Sequence, residues 1–326
     1  MVAPYVRARR HRPGPPYPGP VTTTLGETAT HDAVVRARVL APEEWLPRAA
    51  AHAERADALT AVWRAARAAG RKHAVEDFLF TYYPTRVAHL RRWHPGPGVA
   101  LELPDEPADD AGRRTWRWYM GSPVTLDVPA FLADRGDTVR YVHALLSATA
   151  SRPGTFGCFG LHEWAMVYRD REAGRDHRHP LPLRLGHAGT DAVVEDNPVR
   201  CSHFDAYRFF TPEATGRNQL RPTRADQVAL EQPGCLHANM DLYKWCLKLG
   251  PAVPGDLLLD AFELARDIRW TDMAASPYDV SEYGVAAVAI ETPQGKAEYV
   301  RRQRSFAERS ARLRARLLDV CAALLA

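Results

Sequence analysis

The sequence predicts a mainly α-helical protein, a single helical domain with a small β-hairpin element. Several long segments carry apolar residues at helical spacing, which is the pattern of amphipathic helices. The breaks between them fall at proline- and glycine-rich sites such as His94–Gly98 and residues 250–254. Alternation typical of strands is confined to one short segment, so helices are expected to dominate the chain.

Composition places the chain among soluble globular proteins. It has 326 residues, of which 46% are hydrophobic and 25% are charged. Because no window approaches the roughly 20 apolar residues of a membrane span, we expect no membrane partner and a cytoplasmic location. The five cysteines lack any C-x-x-C pair and are expected to be reduced and packed. A net charge of +4 is compatible with a nucleic-acid partner but does not require one.

Residues 1–30 differ from the rest of the chain. They contain six prolines and four arginines, a composition that cannot form a regular element or bury much surface. We predict a disordered basic tail, followed by a single catalytic domain over residues 31–326. The tail is either an extension without a role or an arm that attracts phosphate groups.

The first half of the domain is predicted to be helical. Pro42 suits the first turn of a long amphipathic helix that runs to Gly70, a plausible C-cap. Two apolar segments at residues 75–83 and 87–93 are separated by Pro84, which predicts helix, break, helix. Residues 129–149 return to a helical pattern.

The second half contains the one predicted hairpin. Within residues 181–195 leucines alternate with other residues, a Gly186–Gly189 turn follows, and Ala192–Val194 offers a return strand. Three further helices are predicted. They lie at about residues 235–249, 255–272 and 295–326.

The segment from Gln232 to Gly250 is the strongest functional candidate. At about 100° per residue, His237, Asp241, Lys244 and Lys248 fall within about 60° of arc, and apolar residues occupy most of the rest of the helix. Such a stripe faces either water or a site, and if it faces inward its charged groups must be paired. We therefore predict His237 and Asp241 as catalytic residues and Lys244 as a substrate-binding residue.

The next helix carries its own acidic stripe. An antiparallel hairpin of the two helices is expected to set His237 opposite Asp267 and Asp241 opposite Glu263. If a metal is present, these four residues are its predicted ligands. The alternative is an ordinary salt-bridge seam between two surface helices.

Two further clusters combine polar and aromatic residues. Around residue 162, His162 and Trp164 are candidates for substrate binding and Glu163 for catalysis, although the second histidine of a zincin motif is absent. Around residue 203, His203 and Asp205 are candidate catalytic residues, in either a strand or a helix. On a helix His162 and Glu163 point about 100° apart, so one can face a site while the other caps the helix or is hydrated. For the cluster around residue 203, a core histidine bonded to a carboxylate is the alternative interpretation.

Two surface segments are candidates for ligand contact. Arg91 and Arg92 beside an aromatic residue resemble a phosphate-contact patch. Tyr278 and Asp279 follow a helix exit and are assigned to substrate binding, with a capping turn as the alternative. The chain has no G-x-G-x-x-G, P-loop, G-x-S-x-G or kinase signature, so dinucleotide, P-loop nucleotide and hydrolase-elbow functions lack support.

Six strings of the sequence together resemble an actinobacterial family. They are residues 75–83, 90–96, 161–169, 203–212, 235–245 and 272–279. Members of that family usually carry the label 3-methyladenine DNA glycosylase. The resemblance implies a hydrolase without a cofactor that binds DNA, flips out an alkylated purine and cleaves its N-glycosidic bond.

Under this resemblance the candidate residues receive roles. Asp241, Asp205 or Glu163 supplies the carboxylate that stabilises oxocarbenium character or activates water. Aromatic residues such as Trp164 stack on the base, and Arg91 and Arg92 hold phosphate groups.

Two other functions remain open. His237-x-x-x-Asp241 is similar to the last-helix ligand pair of haem-oxygenase-like diiron enzymes, which usually add a histidine where this chain has Lys244. That similarity implies an oxidase or oxygenase that uses iron or manganese on a small molecule. The third possibility is a transferase that uses aminoacyl-tRNA, in which the basic residues contact tRNA. No obligate protein partner is evident.

Overall fold

The regular elements in the described part of the chain are helices and short strands. The computed structural model describes residues 38–104, 111–171, 174 and 179–326. The helices there are α1 Pro42–Leu59, α2 Ala61–Ala68, α3 Phe78–Thr81, α4 Val87–Leu90, α5 Val128–Ala150, α6 Leu161–Ala165, α7 Gly186–Asp196, α8 Phe204–Tyr207, α9 Pro212–Thr215, α10 Gln227–Leu230, α11 Leu236–Leu249, α12 Gly255–Ala274 and α13 Pro293–Leu325. The strands are β1 Arg38–Leu40, β2 Val99–Leu101, β3 Tyr119–Met120 and β4 Val124–Leu126.

The four strands form one small sheet in the order β1-β2-β4-β3. β1 pairs with β2 in parallel, and the other two pairings are antiparallel. Leu40 and Leu101 pack from this sheet onto Trp45 and Trp93. The sheet therefore has its own small apolar cluster.

The centre of the protein is helical. α11 and α12 form a hairpin, both helices contact α13, and α5 packs against α11 and α13. Buried side chains such as Met240, Phe262, Ile268, Tyr299 and Leu317 belong to one large apolar cluster. Burying each such side chain contributes about 1.5–3 kcal/mol, so this cluster is the main source of stability. It also encloses the polar residues described below.

The fold class predicted from sequence is confirmed: the protein is mainly α-helical with a small β element. The helices predicted at residues 129–149, 235–249, 255–272 and 295–326 correspond to α5, α11, α12 and α13. The long first helix is interrupted at Thr60 and ends before Gly70, whose φ of +68° is the left-handed conformation of a C-cap. Between residues 75 and 93 only the short helices α3 and α4 form.

The hairpin predicted at residues 181–195 is wrong. Residues 186–196 form α7, which buries Thr190, Val193 and Val194 on one face. These positions share a helical face because they are three and four residues apart, and that spacing prevails over the short alternation before them. Leu183 makes only an isolated β-bridge, with Tyr278. The β element is the separate sheet of β1 to β4.

Two other expectations concern the N-terminal tail and the cysteine thiols. The predicted basic tail at residues 1–30 lies outside the described residues. All five cysteines carry free thiols, and four of them are buried. Across the described ranges, none of the helices combines the length and the apolar character that crossing a membrane demands.

Candidate metal centre

The site begins in the first turn of α11. Pro233 and Gly234 precede the helix, and Cys235 has extended backbone angles that end the loop. Gly234 lies so close to the neighbouring segment that a Cβ there would stand 2.3 Å from the carbonyl oxygen of Thr155. This close approach places the start of α11 in the interior, so that His237 and, one turn later, Asp241 are buried.

One group of potential ligands comprises His162, His237 and Asp272, all buried. They come from α6, from α11 and from the last turn of α12, and their ligand atoms lie within 4.8 Å of one another. Nε2 of His162 is 3.2 and 3.3 Å from the two carboxylate oxygens of Asp272. Two imidazoles and one carboxylate thus converge from three separate elements.

A second group comprises His203, Glu231 and Asp241, which are also buried and within 4.8 Å. Nε2 of His203 lies 3.4 Å from a carboxylate oxygen of each of the other two residues. His203 precedes α8, and Glu231 directly follows α10. One imidazole therefore stands between two carboxylates.

His237 joins the two groups. Its ring is 4.5 Å from that of His162, at an interplanar angle of 83°, and 5.3 Å from that of His203, at 30°. His237 and Asp241 are one helical turn apart, so the same helix supplies one residue to each group. The six side chains form one continuous polar cluster inside an apolar core.

Charged and polar neighbours hold these residues in place. Asp241 accepts hydrogen bonds from the hydroxyl of Tyr83, at 3.1 Å, and from Nζ of Lys244, at 2.8 Å. On the other side, Nη1 of Arg269 donates to Glu163 at 2.9 Å and lies 3.7 Å from Asp272. Each buried charge thus has a partner, as the cost of burying a lone charge requires.

The surroundings set different protonation states for the three histidines. Burial lowers the pKa of His237 well below its ordinary value, and the neighbouring His162 acts in the same direction. For His162, burial is outweighed by the facing carboxylate of Asp272, which raises the pKa well above its ordinary value. For His203, burial is likewise outweighed by Asp241 and Glu231, and the pKa is raised to about 9.

Protonation therefore matters for cation binding at this site. Burial opposes ionisation of Asp241, but Lys244 and His203 outweigh it and lower the pKa of this carboxyl group. Imidazole binds a metal through a neutral nitrogen, so a cation at these groups must displace the protons of His162 and His203.

The donor atoms fit a metal ion. Neither ring nitrogen of His203 makes a hydrogen bond, and the same holds for Oδ1 of Asp272. Buried polar atoms are rarely left without a partner, and a bound cation would supply one. Ligand atoms about 2.1 Å from one ion, at angles of about 90–110°, are separated by about 3.0–3.4 Å. The separations of 3.2–3.4 Å agree with that geometry.

Several predicted site residues lie in or beside this cluster. His162, His203, His237 and Asp241 supply four of its six members. Lys244 bridges Asp241 and Asp205, with its Nζ 3.1 Å from the latter. These residues were separate hypotheses in the sequence, and the fold brings them together.

Other predicted residues have structural surroundings. Glu163 is buried against Arg269, and the indole of Trp164 is buried and donates to the carbonyl of Ala275. Tyr278 is buried in a second apolar cluster with Val167 and Met273. Asp279 accepts a hydrogen bond from the backbone of Ser281, as expected for the capping-turn interpretation.

The arginine patch does not adjoin the cluster through any described contact. Arg91 is exposed and pairs with Asp57. Arg92 is exposed as well, and its guanidinium lies 5.2 Å from the ring of Trp116. A phosphate-contact role for these two residues stays a prediction.

The predicted pairing between α11 and α12 is wrong. Glu263 is half-exposed and pairs with Arg55 of α1, at 2.7 Å, whereas Asp267 pairs with Arg309 of α13 at the same distance. The acidic stripe of α12 is turned toward arginines of other helices, because those offer opposite charge at the surface. Glu263 and Asp267 therefore do not join His237 and Asp241.

Two members of the cluster were missed by the sequence analysis, namely Glu231 and Asp272. Glu231 stands just before the Pro233–Gly234 turn that leads into α11, and Asp272 lies in the last turn of α12, between the buried residues Thr271 and Met273. Apolar neighbours on both sides, namely Ile268, Trp270, Met273 and Ala274, were the available signal for burial of Asp272. No local pattern distinguishes Glu231 from a loop residue.

Comparison of the chain with protein-family models, with curated proteins and with solved structures gives no match. The function is therefore inferred from the site itself. Its strongest feature is the buried arrangement of three histidines and three carboxylates.

Proposed function

We propose that the protein is a metal-dependent oxidase or oxygenase that uses iron or manganese and acts on a small molecule. The observation that supports this proposal is the buried cluster of three imidazoles and three carboxylates. Two histidines and one carboxylate with open positions are the ligand set of many non-haem iron oxygenases. Purely imidazole and carboxylate ligation also suits iron or manganese better than a thiolate-rich zinc site does.

The six residues divide into two ligand sets. His162, His237 and Asp272 would hold one ion. His203, Glu231 and Asp241 would hold a second ion beside it. A redox-active ion at such a site supplies electron transfer to dioxygen, which organic side chains do not provide.

The remaining residues orient and protect the ligands. Tyr83 and Lys244 fix the carboxylate of Asp241 from two directions, through hydrogen bonds to different oxygens. Arg269 neutralises Glu163 and lies beside Asp272. Such partners tune ligand basicity and commonly affect metal affinity by 10- to 100-fold. The apolar core around the cluster keeps bulk water out.

The other functions predicted from sequence stay predictions. Cleavage of N-glycosidic bonds in alkylated DNA and transfer from aminoacyl-tRNA both require a nucleic-acid surface. The arginine patch of Arg91 and Arg92 is the candidate for that surface. Neither function requires six buried ligand-type residues, and the metal-dependent function does.

The test is anaerobic titration of the full-length protein with ferrous iron, followed by measurement of dioxygen uptake. We expect saturable binding at one to two ions per chain, and oxygen uptake well above that of free iron. Asp272→Asn is expected to lose most of both. Asp267→Asn is the matched control, because it removes a half-exposed carboxylate from the same helix. Uptake that is equal in the two variants would contradict the proposal.

A further inference from the structure

Three basic side chains lie at the outer edge of the second ligand set. Asp205 is contacted by Arg208, whose Nε is 3.0 Å from Oδ1, and by Arg224, whose Nη2 is 3.4 Å from the same oxygen. Nζ of Lys244 is 3.1 Å from the other oxygen. Three basic side chains from separate elements therefore meet at one carboxylate.

The exposed fraction of these side chains falls stepwise along a path from the solvent to the buried cluster. The side chain of Arg224 is 69% exposed and that of Arg208 is 41% exposed. Lys244 is 19% exposed and Asp205 is 7% exposed. Asp241, which Lys244 also contacts, is 1% exposed and belongs to the cluster. The path is thus polar from the surface to the proposed ligands.

Charge along this path is not balanced. Three cations face the two carboxylates Asp205 and Asp241, which leaves one positive charge in excess. Both arginines share a single oxygen of Asp205, so neither makes the bidentate pair that guanidinium groups prefer with carboxylates.

Aromatic rings hold the two arginines near the path. The guanidinium carbon of Arg208 lies 4.0 Å from the ring centroid of Phe209, and that of Arg224 lies 5.2 Å from Phe204. Stacking of this kind limits the motion of a guanidinium group and leaves its N–H edge available for an anion.

We propose that Arg208, Arg224 and Lys244 bind the anionic group of the substrate, a carboxylate or a phosphate of a small molecule. The positions of these residues would direct the rest of the molecule toward Asp241 and the buried cluster. This inference rests on the proposed function only for what happens to the bound molecule. Anion binding itself is measured independently of metal.

The experiment is isothermal titration calorimetry of the full-length protein with inorganic phosphate and, separately, with malonate, at constant ionic strength. The double variant Arg208→Gln, Arg224→Gln is compared with Arg117→Gln. Arg117 is a matched control, because it is 66% exposed, pairs with Asp134 and lies over Trp118. The metal content of every sample is determined in parallel.

We expect saturable binding of at least one of the two anions to the wild type. The double variant is expected to bind at least tenfold more weakly, and the control is expected to match the wild type. Preference for phosphate or for malonate identifies the anionic group. Absence of binding to the wild type, or equal binding by the double variant, overturns the inference.

The two proposals fail separately in this design. Anion binding by protein that takes up no metal would remove the proposed function and retain the anion site. Metal uptake without anion binding would remove the anion site and retain the proposed function. Removal of metal from the wild type and the double variant with a chelator before titration shows whether the anion binds to the arginines or to the metal.

Discussion

The imidazole rings of His162 and His237 stand almost perpendicular to each other, with centroids 4.5 Å apart, in the interior of the protein. They come from different helices and face the same carboxylate group, that of Asp272. Two imidazoles so close cannot both be positively charged without repulsion, and His237 is the one that is kept neutral. A neutral imidazole beside a carboxylate is ready to bind a cation.

Replacement of Asp241 by asparagine is expected to destabilise the fold. Asp241→Asn removes the charge that faces Lys244 and His203, and breaking a buried ion pair from one side costs about 3–5 kcal/mol. Urea unfolding with a chelator present measures this loss without any contribution from bound metal. Asp137→Asn serves as the control, because its exposed pair with Arg140 is worth about 0–1 kcal/mol. A loss below about 1 kcal/mol for Asp241→Asn would show that the cluster does not need this charge.

Gly234 is expected to tolerate no side chain. In Gly234→Ala the new Cβ would stand 2.3 Å from the backbone oxygen of Thr155, so one of the two segments must move. Overpacking of this kind costs about 1–3 kcal/mol, or more where backbone must shift. Gly216→Ala is the comparison, since its φ is −67° and a Cβ there meets nothing within 4 Å. Equal thermal midpoints for the two variants would refute the close approach.

Stability is expected to fall in mild acid because of His94. Burial, reinforced by Arg113 and Arg92, lowers the pKa of His94 to about 3, and its Nδ1 shares a hydrogen bond of 2.7 Å with the hydroxyl of Tyr119. The unfolded chain binds the proton below about pH 6.5, whereas the folded chain does so only near pH 3. Stability is therefore complete above pH 6.5 and is lost as the pH falls through this window.

The expected size of this effect is about 2 kcal/mol between pH 7.5 and pH 5. Urea unfolding at the two pH values measures it, and His94→Asn removes the titrating group while keeping an acceptor for Tyr119. The variant is expected to lose about 2 kcal/mol less than the wild type over this interval. An identical pH dependence in both proteins would show that His94 is protonated in the fold.

Local periodicity predicted the helical face of α11 that carries the buried cluster residues. His237 and Asp241 share a helical face, which the sequence alone indicates, and the structure places that face against the core. Lys248 lies on the same stripe but is exposed, because the C-terminal end of α11 reaches the surface. Periodicity therefore located the face, while burial along it depended on tertiary packing.

The partners of this face were harder to predict. Glu231 and Asp272 reach His203 and His162 through contacts between distant segments, and spacing along the chain carries no information on such contacts. The acidic stripe of α12 was assigned to α11 because the two helices are neighbours. Its charges instead meet arginines such as Arg55 and Arg309 on other helices. An alignment of α11 with α12 alone could not include those helices.

The most direct test of the account is elemental analysis of the purified protein by plasma mass spectrometry. It should compare the wild type, the double variant His162→Ala with His237→Ala, and the control Glu263→Gln, which alters a half-exposed carboxylate on the same helical hairpin. We expect stoichiometric iron or manganese in the wild type and in the control, and loss of the metal in the double variant. Protein that contains neither metal after growth and reconstitution with both, or a double variant that retains them in full, would contradict it.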